Sequence, residues 1–330
     1  MASPHATPTI PMDGVAGPQT WKRDGLKPKD WLIPLPEAAI AELDAVVERL
    51  RLDPRPVESL EPADFELPTC AELMTRARRK LDEIGLAVVD RAPVERYEVP
   101  ENQAIGWLLA RMLGPIVAQT WSGRRLYDVQ DTGQKLGYGV RRSVTDLGQP
   151  FHTDAGWLWR PPAYVGLFCL ESAPAGGISR FVSLVTAHNE MARRFPELLP
   201  RLYRPFAWDR QAEHAPGATP FARHPVYAHD GTGTLMARYY EDYVHNGQKL
   251  AGEPLDEAGR EALAALRGIV DDPDNWIELR IERGQFQYIN NRQFAHSRTA
   301  FKDAPDGSRR RHMIRFWNRG EGTADLEGGA

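Results

Sequence analysis

Phe151-His152-Thr153-Asp154 sets the terms for the whole chain. On a β-strand, residues two apart point to the same face, so His152 and Asp154 would present an imidazole nitrogen beside a carboxylate oxygen. Those are two of the ligands that one face of a metal ion takes. Taken alone the triplet says little. An isolated histidine is more often a hydrogen-bonded core residue, and an isolated aspartate often caps a turn. A second histidine from elsewhere in the chain would complete a two-histidine, one-carboxylate set. That set leaves the opposite metal face open and belongs to non-haem Fe(II) oxygenases.

Working outward, strand-like sequence surrounds this stretch. Residues 138–144 read as a strand, and Pro150 introduces the histidine. Residues 164–170 are an apolar run of strand length. Pro174 to Gly177 reads as a turn, with a returning strand over 179–184. Three late strands are expected at 276–282, 286–290 and 312–317. Helical spacing marks 36–51, 70–83, 102–120 (broken near Gly114-Pro115), 186–203 with a start at Thr186, and 256–270. Residues 204–255 are irregular and rich in aromatics. The expected fold is therefore α+β, with a double-stranded β-helix (jelly roll) core flanked by N-terminal and inserted helices. Residues 1–35 read as an extended arm, docked on a neighbour through Trp21 and Trp31. Residues 36–330 read as one domain, with its jelly-roll core at about 86–185 and 276–318 and a helical lid insertion at about 186–275.

Composition narrows the function classes. With 41 basic against 45 acidic side chains the net charge is −4, and no basic block appears, which argues against nucleic acid. Cys70 and Cys169 form neither a CxxC pair nor a disulfide framework and read as thiols of a reducing cytoplasm. No apolar run is long enough to span a membrane, and no signal-peptide pattern opens the chain. The expected partner is a small molecule, and the expected assembly a homo-oligomer.

The second half of the constellation is Asn290-Asn291-Arg292-Gln293-Phe294-Ala295-His296-Ser297-Arg298-Thr299-Ala300-Phe301, a few residues after a strand. It is followed by Arg309-Arg310-Arg311-His312-Met313-Ile314-Arg315-Phe316-Trp317. His152-x-Asp154, His296-x-Arg298-x-x-Phe301 and Arg311-x-x-x-Arg315-Phe316-Trp317 together resemble the taurine dioxygenase family of Fe(II)/2-oxoglutarate-dependent oxygenases. The turn Gly176-Gly177-Ile178-Ser179 fits as well, and the resemblance covers about residues 85–318.

The resemblance implies that His152, Asp154 and His296 hold Fe(II), with 2-oxoglutarate and O2 as cosubstrates. Hydroxylation of a C–H bond with release of succinate and CO2 would follow. It also implies that Arg311 holds the distal carboxylate of 2-oxoglutarate, with a hydroxyl from Ser179, where the family usually has threonine. Charge counting agrees: Fe(II), Asp154 and a dianionic cosubstrate total −1, and one buried arginine restores neutrality. Arginine also matches a carboxylate bidentately, which lysine does not. An aspartate at 154 argues against a halogenase, which needs that coordination position vacant. The N-terminal part has no zinc-ligand cluster, so it lacks the accessory domain of the butyrobetaine hydroxylases.

For the primary substrate, Arg315, Trp157 and Trp159 are the candidates. Arg315 shares a strand face with Arg311 and could meet an anionic group or merely support Arg311. The two tryptophans could wall the pocket or belong to the core. The insertion at 204–255 is a candidate lid. The expected substrate is an amino acid or a small carboxylate, sulfonate or phosphonate. Two rivals stay open: a cupin-type metal enzyme that does not use 2-oxoglutarate, and a non-catalytic jelly-roll binding protein.

Overall fold

The structure is a computed structural model that describes residues 10–230 and 232–328. Ten strands build its centre: β1 (Leu32–Pro34), β2 (Leu86–Asp90), β3 (Tyr127–Val129), β4 (Gln149–His152), β5 (Tyr164–Glu171), β6 (Ser179–Ser183), β7 (Trp276–Leu279), β8 (Phe286–Asn290), β9 (Phe294–Arg298) and β10 (His312–Asn318). They form a six-stranded sheet in the order β1-β2-β8-β5-β10-β3 and a four-stranded sheet in the order β7-β6-β9-β4. Pairing is antiparallel, apart from the parallel β1–β2 edge. Neighbours in both sheets come from distant parts of the chain, as a jelly roll requires. Leu167, Gln287 and Arg315 of the larger sheet line one cavity together with His152, Phe181 and His296 of the smaller. That cavity therefore lies between the two sheets, which face each other as an open sandwich.

Strand alternation decides what each face meets. On β10, Ile314 and Phe316 join the cluster under the N-terminal helices, while Arg315 and Trp317 line the inner cavities. On β5, Phe168 and Leu170 face the helices and Val165 and Leu167 face the cavity. Helices Glu37–Leu52, Pro68–Glu83 and Val99–Met112 cover the outer face through residues such as Leu43, Leu73 and Leu108. Full burial of a leucine or phenylalanine side chain contributes about 1.5–3 kcal/mol, so this helical layer makes the large sheet a rigid back wall.

Several local expectations are corrected. Residues 138–144 form no strand: Gly137 and Gly139, the latter at φ +77°, interrupt extension, and only a 3-10 turn at Arg142–Val144 is regular. The helix expected over 186–203 runs instead from Leu184 to Arg194, with Ser183 rather than Thr186 as its cap. It stops at Phe195 because Pro196 disfavours helical backbone in the residue before it. Residues 204–255 are more regular than expected. They hold the hairpin pairs Phe206–Asp209 with Phe221–His224 and Tyr227–His229 with Leu235–Ala237, then a helix at Glu241–Ala251.

Trp21 is buried in this chain's own core, its indole N–H donating to the Ile84 carbonyl at 2.9 Å and its ring stacked on Phe294. Trp31 is buried too, and Leu32–Pro34 forms the sheet edge. Residues 10–35 thus pack on the body of this chain, and residues 1–9 of the expected arm lie outside the described residues. Among the described residues no helix is long and apolar enough to cross a membrane.

Candidate active site

His152 closes strand β4, and Asp154 follows in a turn rather than on the strand. Ala155 at φ +54° bends the backbone immediately after it. The Asn291 side chain holds this turn from both sides: its Oδ1 accepts from the Asp154 N–H at 2.7 Å and its Nδ2 donates to the Asp154 carbonyl at 3.0 Å. His296 follows strand β8 by a few residues, as expected, but also lies within a strand of its own, β9, directly opposite His152 in the β4–β9 register. The turn and the cross-strand pair bring ligand atoms of His152, Asp154 and His296 within 4.8 Å of one another. His152 Nε2 is 3.3 Å and His296 Nε2 is 3.8 Å from Asp154 Oδ1.

The two carboxylate oxygens of Asp154 have different neighbours. Oδ1 faces the histidines. Oδ2 accepts the Trp317 indole N–H at 2.8 Å and lies 3.2 Å from Arg315 Nη1. Burial raises the carboxyl pKa, but Arg315, His152 and His296 outweigh it and hold Asp154 ionised well below the usual carboxylate range. Burial, with His152 beside it, lowers His296 to about 3, so its imidazole is neutral and carries a free lone pair. His152 Nδ1 lies 2.9 Å from the Pro150 carbonyl, which assigns the proton to Nδ1 and leaves Nε2 as the acceptor. Gln149 Nε2 donates to that Nε2 at 2.8 Å. Two neutral imidazoles and one ionised carboxylate are the donor chemistry that Fe(II) takes in oxygenases.

Arg311 lines the inter-sheet cavity just ahead of β10, together with Ser179, Arg298 and Arg315. Its guanidinium is buried, and Nε and Nη1 have no hydrogen-bond partner. Burial lowers it to about 10, so it stays charged. The Gly176-Gly177 turn permits the close packing that shapes this corner. Gly176 is at φ +71°, where a Cβ would stand 2.0 Å from the Ala300 carbonyl oxygen. The ring of Phe301 lies 5.2 Å from Arg311 and 4.8 Å from Arg298. Arg298 donates to the Thr145 carbonyl and stands opposite Ser179 across the β6–β9 pair.

The structure does not treat the three substrate candidates alike. Arg315 is at the site, but its charge faces Asp154 and its Nε donates to Gln119 Oε1 at 2.7 Å. Trp157 is buried on the metal-side cavity, its ring against Tyr243. Trp159 is not brought in: it is 71% exposed and lies beside His224 on the outer surface. Sequence reasoning missed Gln119, Gln149, Asn291 and the Tyr240–Tyr243 pair. The tyrosine pair alone left a trace, in the aromatic density of the insertion.

A family model described as "Taurine catabolism dioxygenase TauD, TfdA family" matches residues 51–317. The chain belongs to this family, and it is an Fe(II)- and 2-oxoglutarate-dependent dioxygenase. Among its relatives is FR-33289 synthase of Streptomyces rubellomurinus (strain ATCC 31215), 28% identical over 310 residues that cover 92% of this chain and 89% of the relative. A uridine-5'-phosphate dioxygenase of an Amycolatopsis species is 27% identical over 273 residues, 80% of this chain and 93% of that one. Similar solved folds include asparagine oxygenase with Fe(II), 2S,3S-3-hydroxyasparagine and succinate. That structure has a TM-score of 0.65 at 18% identity, covering 90% of this chain and 94% of that one. The non-heme iron oxygenase OrfP with Fe and alpha-ketoglutaric acid aligns with a TM-score of 0.63 at 15% identity, over 88% and 94%.

Proposed function

We propose that His152, Asp154 and His296 hold the Fe(II), that Arg311 and Ser179 receive the distal carboxylate of 2-oxoglutarate, and that the enzyme hydroxylates a C–H bond of a small anionic metabolite. One observation carries the residue assignments. The three ligand atoms stand together, and two of their residues, His152 and His296, line one cavity with Arg311, a buried arginine whose guanidinium has no carboxylate within ion-pair distance among the described residues. An unpaired buried cation is costly, so the site is built to be completed by an anion. A cupin-type enzyme without 2-oxoglutarate would have no use for that arginine.

When bound, Fe(II) supplies the redox chemistry that couples O2 and 2-oxoglutarate to C–H hydroxylation, with succinate and CO2 released. The protein's part is positioning. Trp317 and Arg315 fix Asp154 Oδ2, which commits Oδ1 to the ion. The Pro150 carbonyl fixes the His152 tautomer, and burial keeps His296 neutral. Gln149 must give up the His152 nitrogen when the metal takes it. Val165, Leu167 and Phe181 exclude water from the cosubstrate corner. The buried free thiols Cys70 and Cys169 fit a reducing compartment, which we take to be the cytoplasm.

For the substrate, the relative named for uridine-5'-phosphate supports an anionic group, while asparagine oxygenase and OrfP with a hydroxy-arginine represent the amino-acid alternative. The test is a screen of nucleoside monophosphates, phosphonates, sulfonates and amino acids for stimulated succinate formation with Fe(II), 2-oxoglutarate and O2. The expected result is an anionic compound whose hydroxylated product and succinate appear in equal amounts. Product without succinate would favour the cupin-type reading, and stimulation by uncharged compounds alone would sink the substrate assignment.

A further inference from the structure

Arg315 is the arginine that the sequence offers to a substrate anion, yet its charge is committed to Asp154. If the substrate is anionic, another cation must meet it on the open side of the triad. Two cavities adjoin there. The inner one is lined by His152, Asp154, Trp157 and Trp317. The outer cleft, of about 610 Å³, lies between residues 136–142 and helix Glu241–Ala251. A cleft of that size suits a small metabolite. The two share three lining residues, Arg142, Tyr240 and Tyr243, which therefore form the neck between them.

The cations around this neck are not equally available. Arg141 is bound to Glu213 at 2.7 Å and to the Gln119 carbonyl. Arg298 and Arg311 line the cosubstrate cavity. In the outer cleft, His245 pairs with Glu241, and Lys249 lines that cleft but not the inner cavity beside the triad. Arg142 differs from all of these. One nitrogen donates to the Gly148 carbonyl at 3.1 Å, and its nearest carboxylate, Asp242, is 3.7 Å away and half exposed. Its guanidinium lies beside the Tyr240 hydroxyl, and the Tyr240 ring is tilted over His152 with centroids 5.1 Å apart. The other acid of the cleft, Asp209, already accepts from the Gln211 backbone and side chain, so it does not compete for Arg142.

We infer that Arg142 is the specificity-determining residue that receives the anionic group of the primary substrate, displacing the weak contact to Asp242. The stacked Tyr240–Tyr243 pair, centroids 4.0 Å apart, forms the apolar wall along which the rest of the substrate passes toward the triad. The chemistry recognised is a phosphate, phosphonate, sulfonate or carboxylate group on a small molecule. The inference rests on the functional reading above, because it places this anion on the opposite side of the triad from 2-oxoglutarate.

The test uses Fe(II)- and 2-oxoglutarate-loaded protein under anaerobic conditions. Inorganic phosphate, uridine 5'-monophosphate, L-asparagine and uncharged uridine are titrated calorimetrically into wild type, Arg142→Gln and Asp242→Asn. At least one of the anionic probes should bind wild type more tightly than uridine does. Arg142→Gln should weaken that binding roughly tenfold or more, as loss of a charge-assisted contact does. Asp242→Asn should strengthen it several-fold, because it removes the competing carboxylate. A merely structural role for Arg142 would not produce opposite signs in the two variants. Phosphate tighter than L-asparagine assigns the phosphoryl class, and the reverse assigns the amino-acid carboxylate. Unchanged anion affinity in Arg142→Gln, or no anion binding to wild type, overturns the proposal. Affinity for 2-oxoglutarate, measured in the same proteins, should not move in either variant. If wild type fails to bind 2-oxoglutarate at all, the functional reading itself has failed and the Arg142 proposal falls with it.

Discussion

In the proposed iron site Asp154 is one carboxylate with two tasks, divided between its two oxygens. Trp317 and Arg315 hold Oδ2, so Oδ1 is the oxygen left for a metal. Groups that orient a metal ligand typically change metal affinity 10–100-fold when removed. Trp317→Phe keeps the ring and loses the donor, so it should weaken Fe(II) binding about tenfold or more without unfolding the protein. Competition against a chelator, with near-UV circular dichroism as the fold control, measures this, and unchanged affinity would leave Trp317 as packing only. Arg311 fails differently. Arg311→Ala should cost on the order of 2–5 kcal/mol in 2-oxoglutarate binding, roughly 30-fold or more, with only partial rescue by lysine. The apparent Michaelis constant for 2-oxoglutarate reports it. Period-two spacing on the last strand made it readable that Arg311 and Arg315 share a cavity. Nothing local could reveal that Arg315 and Trp317 meet Asp154, more than 160 residues away.

Among the elements, the helix Glu241–Ala251 matters most for access, because Tyr240 and Tyr243 at its start stand between the outer cleft and the triad. It lies tightly on strand Phe206–Asp209. A Cβ on Gly247 would stand 2.4 Å from the Ala207 carbonyl oxygen, so backbone would have to shift. Gly247→Ala should therefore destabilise by about 1–3 kcal/mol and raise the Michaelis constant for the primary substrate more than that for 2-oxoglutarate. Equal effects on both constants would argue that the helix does not gate the substrate side. Its helical character was obscured by the aromatic and glycine-bearing run of 239–247. The strand carrying His296 was hidden for a related reason. Phe294, His296 and Arg298 face one way and Ala295 and Ser297 the other, so no apolar alternation marks it. The turn at Asp154 depends on Ala155 adopting positive φ and on Asn291 reaching across, neither of which spacing discloses. The apolar strands read at 164–170 and 286–290 and the amphipathic helices were legible because burial on one or both faces writes itself into the residue pattern.

At the scale of the whole molecule, stability should depend on pH through buried histidines outside the triad. Burial lowers His188 and His224 to about 4. Below the ordinary value near 6.5 the unfolded chain takes up these protons, while the folded protein resists until about 4. Their contribution to stability is therefore full above about pH 6.5 and declines as pH falls toward 4, by up to about 3 kcal/mol for each. Urea unfolding of the metal-free protein between pH 4 and 8 measures this, and a stability independent of pH below 6.5 would contradict it. The sandwich brings His152 and His296 of the smaller sheet and Arg311 beside the larger one to a single cavity, so metal and cosubstrate should bind as one site. Anaerobic addition of Fe(II) and then 2-oxoglutarate to the metal-free protein tests this most directly. A visible charge-transfer band should appear in wild type only when both are present, and it should be absent from Asp154→Ala and shifted to higher 2-oxoglutarate concentration in Arg311→Ala. No band in wild type, or an undiminished band in Asp154→Ala, would contradict the assignment of His152, Asp154 and His296 as the iron site.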